Sequence, residues 1–503
     1  MTAAESQPII SDDKARIGTP GLDDVLGGGL TRGRSYLVEG SPGTGKTTIA
    51  AQFLMEGAAQ GETGLYVTLA ETEEELRASA ASHGWVLDPL IEVFELVPPD
   101  SLLDPQQEQS LLYSSDLELG ETTRAIFEKV QRLRPSRLVL DSLSEVRLLA
   151  QSSLCYRRQL LAMKHFFSRF GTTVLLLDDL TTEALDKTVH SIAHGVIRLE
   201  EMAPSYGAEE RRMRVVKYRG QQFRGGFHSF TIVKGGVRVF PRLIASEHHR
   251  AFTRELVTTG IPELDDLLGG GLERGCSTLV IGPAGTGKSL LGFQFIDAAI
   301  RRGEKAALFV FEEELGLLFA RVRAMGLDLE EMRLSGALTI TQVDAAEMSA
   351  GEFAHLVRDH AAKSGTGIVV IDSLNGYQAS MQDERDLVLH MRELLQYLNR
   401  QGIISVVTVA QHGLVGDMQT PVDVTYLADT VVLLRYFEAF GRVRRAISVI
   451  KKRAGPHEDT IREFRISSEG IGVGEPLDAF QGVLRGVPVY AGDDAHLLSE
   501  GHQ

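Results

Sequence analysis

Little in this chain favours a membrane, an oxidising compartment or a polyanion. No apolar run approaches the roughly 20 residues that a spanning helix requires, and the opening stretch MTAAESQPIISDDK is acidic and polar, unlike a signal peptide. The expectation is a cytoplasmic protein without a membrane partner. Only two cysteines occur, Cys155 and Cys276, far apart and in no metal-binding spacing, so they read as buried or idle thiols and redox chemistry is not expected. Positive charge is in deficit: 52 Lys and Arg face 68 Asp and Glu, leaving a net charge of -16. Nucleic-acid affinity comes mainly from Lys and Arg neutralising phosphates, so this balance argues against a nucleic-acid partner unless a local basic channel lies within an acidic whole.

What the chain does have is apolar residues and a repeat. With 503 residues, 43% of them hydrophobic, it is too long for one ordinary core and implies two or more domains. The segment GTPGLDDVLGGGLTRGRSYLVEGSPGTGKTT (18–48) lies over GIPELDDLLGGGLERGCSTLVIGPAGTGKSL (260–290) at an offset of 242, with 20 of 31 positions identical. The register runs on without a gap to YVTLAET (66–72) over LFVFEEE (308–314), which sets Ala70 against Glu312. The expected organisation is a first domain over 1–244, a linker at 245–255, a second domain over 256–490 and a short acidic tail at 491–503.

Each repeat alternates apolar runs of strand length with helical patterns. SYLVEG, GLYVTLA, SRLVLDS and TTVLLLDD in the first, and STLVIG, AALFVFEE, GIVVIDS and IISVVTVA in the second, suit parallel strands buried on both faces. TIAAQFLMEGAAQ and DLVLHMRELLQYLNRQG have helical periodicity and should cover them. Both repeats end in further β-rich segments. The fold class is α/β: two tandem P-loop domains, each a doubly wound, mostly parallel sheet with helices on both faces.

GSPGTGKT (40–47) and GPAGTGKS (282–289) each fit G-x-x-x-x-G-K-[ST]. Such a loop turns backbone N–H groups toward a phosphate chain that a Cβ would obstruct, at a helix start whose dipole favours negative charge. Gly43, Thr44, Gly45, Lys46, Thr47 and Thr48 in the first repeat, and Gly285, Thr286, Gly287, Lys288, Ser289 and Leu290 in the second, form the candidate ATP cradles. Lys46 and Lys288 would reach the terminal phosphates, while Thr47 and Ser289 would ligate Mg2+. Asp141 in LVLDS and Asp372 in IVVIDS end apolar strands downstream and would hold the water shell of the same ion. The acids closing FVFEEE then acquire a role. In P-loop ATPases of the RecA type a carboxylate at that strand end orients or deprotonates the attacking group, which points to Glu312 and Glu313. Glu314 fits a solvated helix start better.

Across its length the chain resembles the KaiC family of bacterial clock ATPases and their non-clock relatives, through both glycine-rich entries, both P-loops, both DS strand ends and the run DTVVLLRYFE...RRAISVIKKR. The resemblance implies RecA-like domains in a homohexameric double ring with ATP at the subunit interfaces. It implies ATP hydrolysis in the first domain and Ser/Thr autokinase and autophosphatase activity in the second. Glu312 and Glu313 match the family's glutamate pair, Glu312 as the base; the first repeat keeps only Glu71, with Ala70 in place of the other. A methyl group orders no water, and losing such a group typically costs about 10²–10⁴ in rate. Glu71 alone as compensation is left open; both repeats are expected to bind ATP and the second to carry more of the chemistry.

Thr425 and Tyr426 fall on the family's phosphorylated Ser-Thr pair, and Thr425 is the candidate phosphosite. Lys217 and Arg219, with Arg445, Lys451 and Arg453, resemble basic residues that cross to a neighbour's nucleotide; Arg211 and Arg212 are looser candidates. Gln411 is a candidate γ-phosphate sensor. The insertion PPDSLLDPQQEQSLLYSSDLELGE (98–121) and the short acidic tail depart from the clock proteins, so dependence on their partners is unsupported, and the partner would be a KaiB-like or another signalling protein. Two other readings stay open: a RecA or helicase-type DNA-dependent ATPase, and an ATP-gated scaffold with little catalysis.

Overall fold

The computed structural model describes residues 14–96, 111–150, 152–180, 188–203, 207–311, 313–379, 384–411, 426–485 and 489–490. The chain forms two compact units that change over between Arg242 and Leu243. Each is organised on one nine-stranded sheet. Apart from two-residue strands, the first unit contains β1 (Ser35–Gly40), β2 (Gly64–Thr68), β3 (Ile91–Glu95), β4 (Arg137–Asp141), β5 (Thr173–Asp179), β6 (Gly195–Met202), β7 (Glu210–Tyr218), β8 (His228–Val233) and β9 (Gly236–Phe240). Their spatial order is β3-β2-β4-β5-β1-β6-β7-β8-β9, parallel from β3 to β6 and antiparallel beyond.

The second unit contains β10 (Ser277–Gly282), β11 (Lys305–Val310), β12 (Leu338–Gln342), β13 (Thr366–Asp372), β14 (Ile404–Ala410), β15 (Thr430–Ala439), β16 (Arg442–Lys452), β17 (Arg462–Ser467) and β18 (Gly470–Pro476). It repeats the first strand for strand: β12-β11-β13-β14-β10-β15-β16-β17-β18, with the same change from parallel to antiparallel. The expected α/β class, with two mostly parallel sheets and helices on both faces, is what the chain adopts. The edge strands β3 and β12 were not expected; their sequences IEVFE and LTITQ are short and half-exposed and carry no continuous apolar run.

Alternation along the strands explains the layers. Tyr36 and Val38 of β1 face the P-loop helix Lys46–Ala59, sharing a core with its Ile49, Phe53 and Leu54. Leu37 points the other way, into a second core with Tyr156, Leu160 and Phe167 of helix Ser153–Arg169. The second unit does the same: Val280 packs with Phe293 and Ile296 of helix Lys288–Arg301, and Leu279 and Ile281 with Met391 and Leu394 of helix Glu384–Arg400. A sheet buried on both faces admits few polar side chains, so the chemistry concentrates where the parallel strands end. The polar stretch 245–255 is tied to the second unit, through a hydrogen bond from Ala245 N to the Glu393 carboxylate and one from Arg250 N to Arg400 O.

Candidate functional site

Both P-loops leave the C-terminal end of the central strand and turn into a helix. Gly45 and Gly287 immediately precede these helices at φ 91° and 103°, a left-handed conformation that a side chain resists. A Cβ there would also lie 2.8 Å from Ile232 Cδ1 or 2.5 Å from Ile466 Cδ1. Thr44 and Thr286 brace the loops from within, their hydroxyls donating to Ser41 O and Pro283 O at 2.8 Å. Gly43 and Gly285 also have positive φ, and Thr48 and Leu290 lie in the first turn of their helices. The two motifs thus fold as one construction.

In the first repeat Lys46 is buried and its ammonium is fully engaged: it donates to Gly40 O and Ser41 O, both at 2.9 Å, and pairs with Asp179 at 2.7 Å. Asp141, at the end of β4, accepts hydrogen bonds from Tyr66 at 2.5 Å and from Thr47 at 3.4 Å. Burial pushes its carboxyl above the usual carboxylate range, Asp179 adding to the effect while Tyr66, Lys46 and Thr47 oppose it. Glu71 is raised too, by burial first and then by Asp141 and Glu75. Its backbone N donates to Thr68 Oγ1 at 3.0 Å and its carbonyl accepts from the same hydroxyl at 2.7 Å, which turns the chain out of β2. Ala70 is exposed.

In the second repeat Lys288 donates to Pro283 O at 2.7 Å, and burial lowers its affinity for the proton while Asp372 opposes that shift. Asp372 ends β13, buried, and accepts from the Thr408 hydroxyl. Glu313 pairs with Arg321 at 2.7 Å; burial raises its carboxyl, with Arg321 lowering it and Asp372 raising it further. Glu314 accepts from Gly316 N and Leu317 N at 2.8 Å each and caps helix Leu315–Arg323. The candidate base Glu312 and the candidate phosphosite Thr425 lie outside the described residues. Tyr426 is exposed.

The basic candidates separate into two groups. Lys217 lies opposite Val196, at the N-terminal end of β6, and donates to His190 O and Ala193 O; Arg219 donates to Ser191 O beside it. That end of the sheet is level with Tyr36, about 13 Å along β1 from Gly40, where the P-loop starts. Lys451 and Arg453 occupy the matching end of the second sheet: Lys451 lies opposite Val431 and donates to Ala428 O, and Arg453 pairs with Asp429 at 3.5 Å. Neither pair is positioned on its own repeat's P-loop. Arg445 behaves differently. It sits six residues earlier on β16, opposite Tyr436, and lines a cavity of about 190 Å3 with Gly285, Gly287, Lys288, Ser289 and Arg321. Strand β16 runs antiparallel to β15, so six residues carry Arg445 about 20 Å back to the nucleotide edge. Arg211 and Arg212 are taken up by acids, Arg211 by Glu201 and Glu209 and Arg212 by Glu200. Gln411 N donates to Gly282 O at 3.1 Å, and its side-chain oxygen is buried without a hydrogen-bond partner among the described residues.

The residues fit a nucleoside triphosphate and Mg2+. Lysine and helix N-terminus converge at each glycine-rich loop, and Thr47 with Asp141 makes an all-oxygen pair of the kind Mg2+ accepts alongside phosphate oxygens. Sequence reasoning missed Asp179, Arg321, Tyr66 and Thr408. Asp179 was visible in principle, because β5 ends in Asp178-Asp179 where β14 ends in Val409-Ala410. The other three needed the pairing of strands and helices to bring them to the site. Among the described residues no helix is long and apolar enough to cross a membrane.

Comparison with known proteins gives one answer. The family model for the KaiC ATPase matches residues 15–244 and 257–478. The chain is 29% identical over 485 residues to the circadian clock protein KaiC3 of Synechocystis sp., covering 95% of each chain. It is 30% identical over 490 residues to the circadian clock oscillator protein KaiC of Synechococcus elongatus, covering 94% of this chain and 92% of that one. The corresponding protein of Thermostichus vulcanus is 29% identical over 482 residues, covering 93% and 90%.

Proposed function

Since the chain belongs to the family of KaiC ATPases, we propose that it binds two ATP molecules, one per repeat, and works in the cytoplasm as a homohexamer with ATP at subunit interfaces. One observation carries this reading: each repeat has a complete P-loop, while Lys217 and Arg219, or Lys451 and Arg453, stand at the far end of the same sheet. Cations that far from their own loop serve a nucleotide only if a second copy brings it to them. Positive charge there would offset the charge that develops on the transferring phosphate. Thr47 with Asp141, and Ser289 with Asp372, would hold Mg2+, which neutralises phosphate charge when bound.

The second repeat acts in addition as a Ser/Thr autokinase. Glu312 takes the proton of the Thr425 hydroxyl, the hydroxyl oxygen bonds to the γ-phosphorus, and the bond to ADP breaks with its electron pair leaving on ADP. Arg445 and Arg321 stand over this P-loop from their own chain. Reversal of the reaction would give autophosphatase activity. The relatives bearing the name of circadian clock proteins support a timing or signalling role, with KaiB-like or other signalling proteins as partners.

Incubation with γ-labelled ATP and Mg2+, followed by phosphosite mapping, tests this. Label on Thr425 that is lost in Thr425→Ala and reduced by about 10²-fold or more in Glu312→Gln is the expected result. Unchanged labelling in Glu312→Gln rejects that base, and label outside 424–430 rejects the acceptor. ATP-dependent assembly without hydrolysis or labelling would leave a scaffold, for which Ala70 speaks in the first repeat; stimulation by single-stranded DNA would point to a DNA motor.

A further inference from the structure

We propose that Asp179 is the acid that positions the attacking water in the first repeat, in place of the carboxylate that Ala70 lacks. The inference rests on the reading of this repeat as an ATPase site and adds a catalytic residue to it.

Position in the sheet is the first argument. Strand β5 lies between β4, which ends in Asp141, and β1, which feeds the P-loop; Asp179 is in register with Gly40 itself. Neighbouring strands are about 4.8 Å apart, so Asp179 stands one strand from the P-loop strand, whereas the end of β2 stands three strands away, about 14 Å. A residue after β2 needs the longer arm of glutamate and a turn of chain to reach the phosphate. One at the end of β5 reaches it with an aspartate.

The contacts agree. Asp179 Oδ1 is 2.7 Å from Lys46 Nζ, the group that meets the terminal phosphates in a P-loop, and the Asp179 side chain remains 28% exposed, open to water. Its neighbour Asp178 is unavailable, held by Arg147 at 2.5 Å and by Ser144 at 3.1 Å. In sequence the two repeats are complementary here: where the second has Glu312 the first has Ala70, and where the second ends β14 in Ala410 the first ends β5 in Asp179. Beside the position shared by Glu71 and Glu313, each repeat therefore carries one further carboxylate, from a different stretch of the chain.

In the step, the water oxygen bonds to the γ-phosphorus and the bond from phosphorus to the bridging oxygen breaks, its electron pair leaving on ADP. One water proton stays on the released phosphate; the other passes to the Asp179 carboxylate and then to solvent.

The test uses the full chain carrying Lys288→Ala, so that only the first repeat loads ATP. Adding Asp179→Asn is expected to lower kcat by about 10²-fold or more with the affinity for a fluorescent ATP analogue kept, and Ala70→Glu in that background is expected to restore part of the rate. Hydrolysis equal to the parent's overturns the proposal with the ATPase reading intact. Faster hydrolysis with tighter ATP binding overturns it too, since Asp179 would then only restrain Lys46. A parent that binds ATP and never hydrolyses it defeats both the proposal and the ATPase reading of this repeat. If Asp179→Asn loses affinity, Asp179→Glu decides: it keeps the charge but moves the carboxylate by one methylene, so binding with reduced rate is expected and full rate overturns the proposal.

Discussion

Three consecutive glutamates, identical in sequence, have three different assignments. Glu314 spends both carboxylate oxygens on the backbone N–H groups of the helix that follows, and Glu313 is held by Arg321 and raised by burial. Glu312 keeps the role of base proposed for it. The sequence already set Glu314 apart as a helix start, and the Arg321 side chain is what distinguishes Glu313. In the first repeat burial, with Asp141 and Glu75 adding to it, raises the Glu71 carboxyl, and this makes a stability prediction. In the window between the ordinary carboxylate value and the raised one, the folded chain binds more protons than the unfolded chain, so stability falls as pH rises through it. Glu71→Gln, neutral throughout, is therefore expected to melt higher than the parent at about pH 8 without nucleotide or Mg2+, and to match it below the ordinary carboxylate range. Equal melting at both ends would mean that burial, Asp141 and Glu75 together do not raise the Glu71 carboxyl.

At the scale of elements, the repeat conserves roles more closely than residues. Thr72 and Glu314 occupy the same repeat position, and both cap the helix after the strand: Thr72 in a reciprocal box with Glu75, Glu314 through its own carboxylate. Thr72→Ala is expected to cost about 1 kcal/mol in chemical unfolding, and Glu314→Ala to lower the unfolding midpoint in the same direction. Glu314→Ala should leave autophosphorylation in place, in contrast to Glu312→Gln; a loss comparable to that of Glu312→Gln would place Glu314 in the chemistry. Strands buried on both faces were legible because a continuous apolar run has few alternatives. The edge strands β3 and β12 were not, since half-exposed segments of five residues carry too little pattern to separate from loop. Basic residues on the antiparallel strands were legible as candidates but not in position: Arg445 and Lys451 share one strand, yet β16 sets them at opposite ends of the sheet.

For the whole molecule, that separation underlies the proposal that activity depends on more than one copy. In a Lys288→Ala background, chosen so that only the first repeat loads ATP, Lys46→Ala and Arg219→Ala are each expected to abolish ATP hydrolysis by the first. Mixed and reassembled, they should regain roughly a quarter of the sites, those that pair an intact loop with an intact arginine from another chain. No recovery would mean that Arg219 acts within its own chain or only supports the fold. Sequence by itself determined the duplication, the α/β class, both phosphate loops and the strand-end acids Asp141 and Asp372, because glycine spacing and doubly buried strands leave a local trace. It also determined the asymmetry at Ala70. What only the tertiary structure decided is which groups share a site: Asp179 with Lys46, Arg321 with Glu313, Tyr66 with Asp141 and Arg445 with its own P-loop. Those partners lie between 8 and 160 residues apart, and strand order, register and the helix after β11, not local pattern, bring them together.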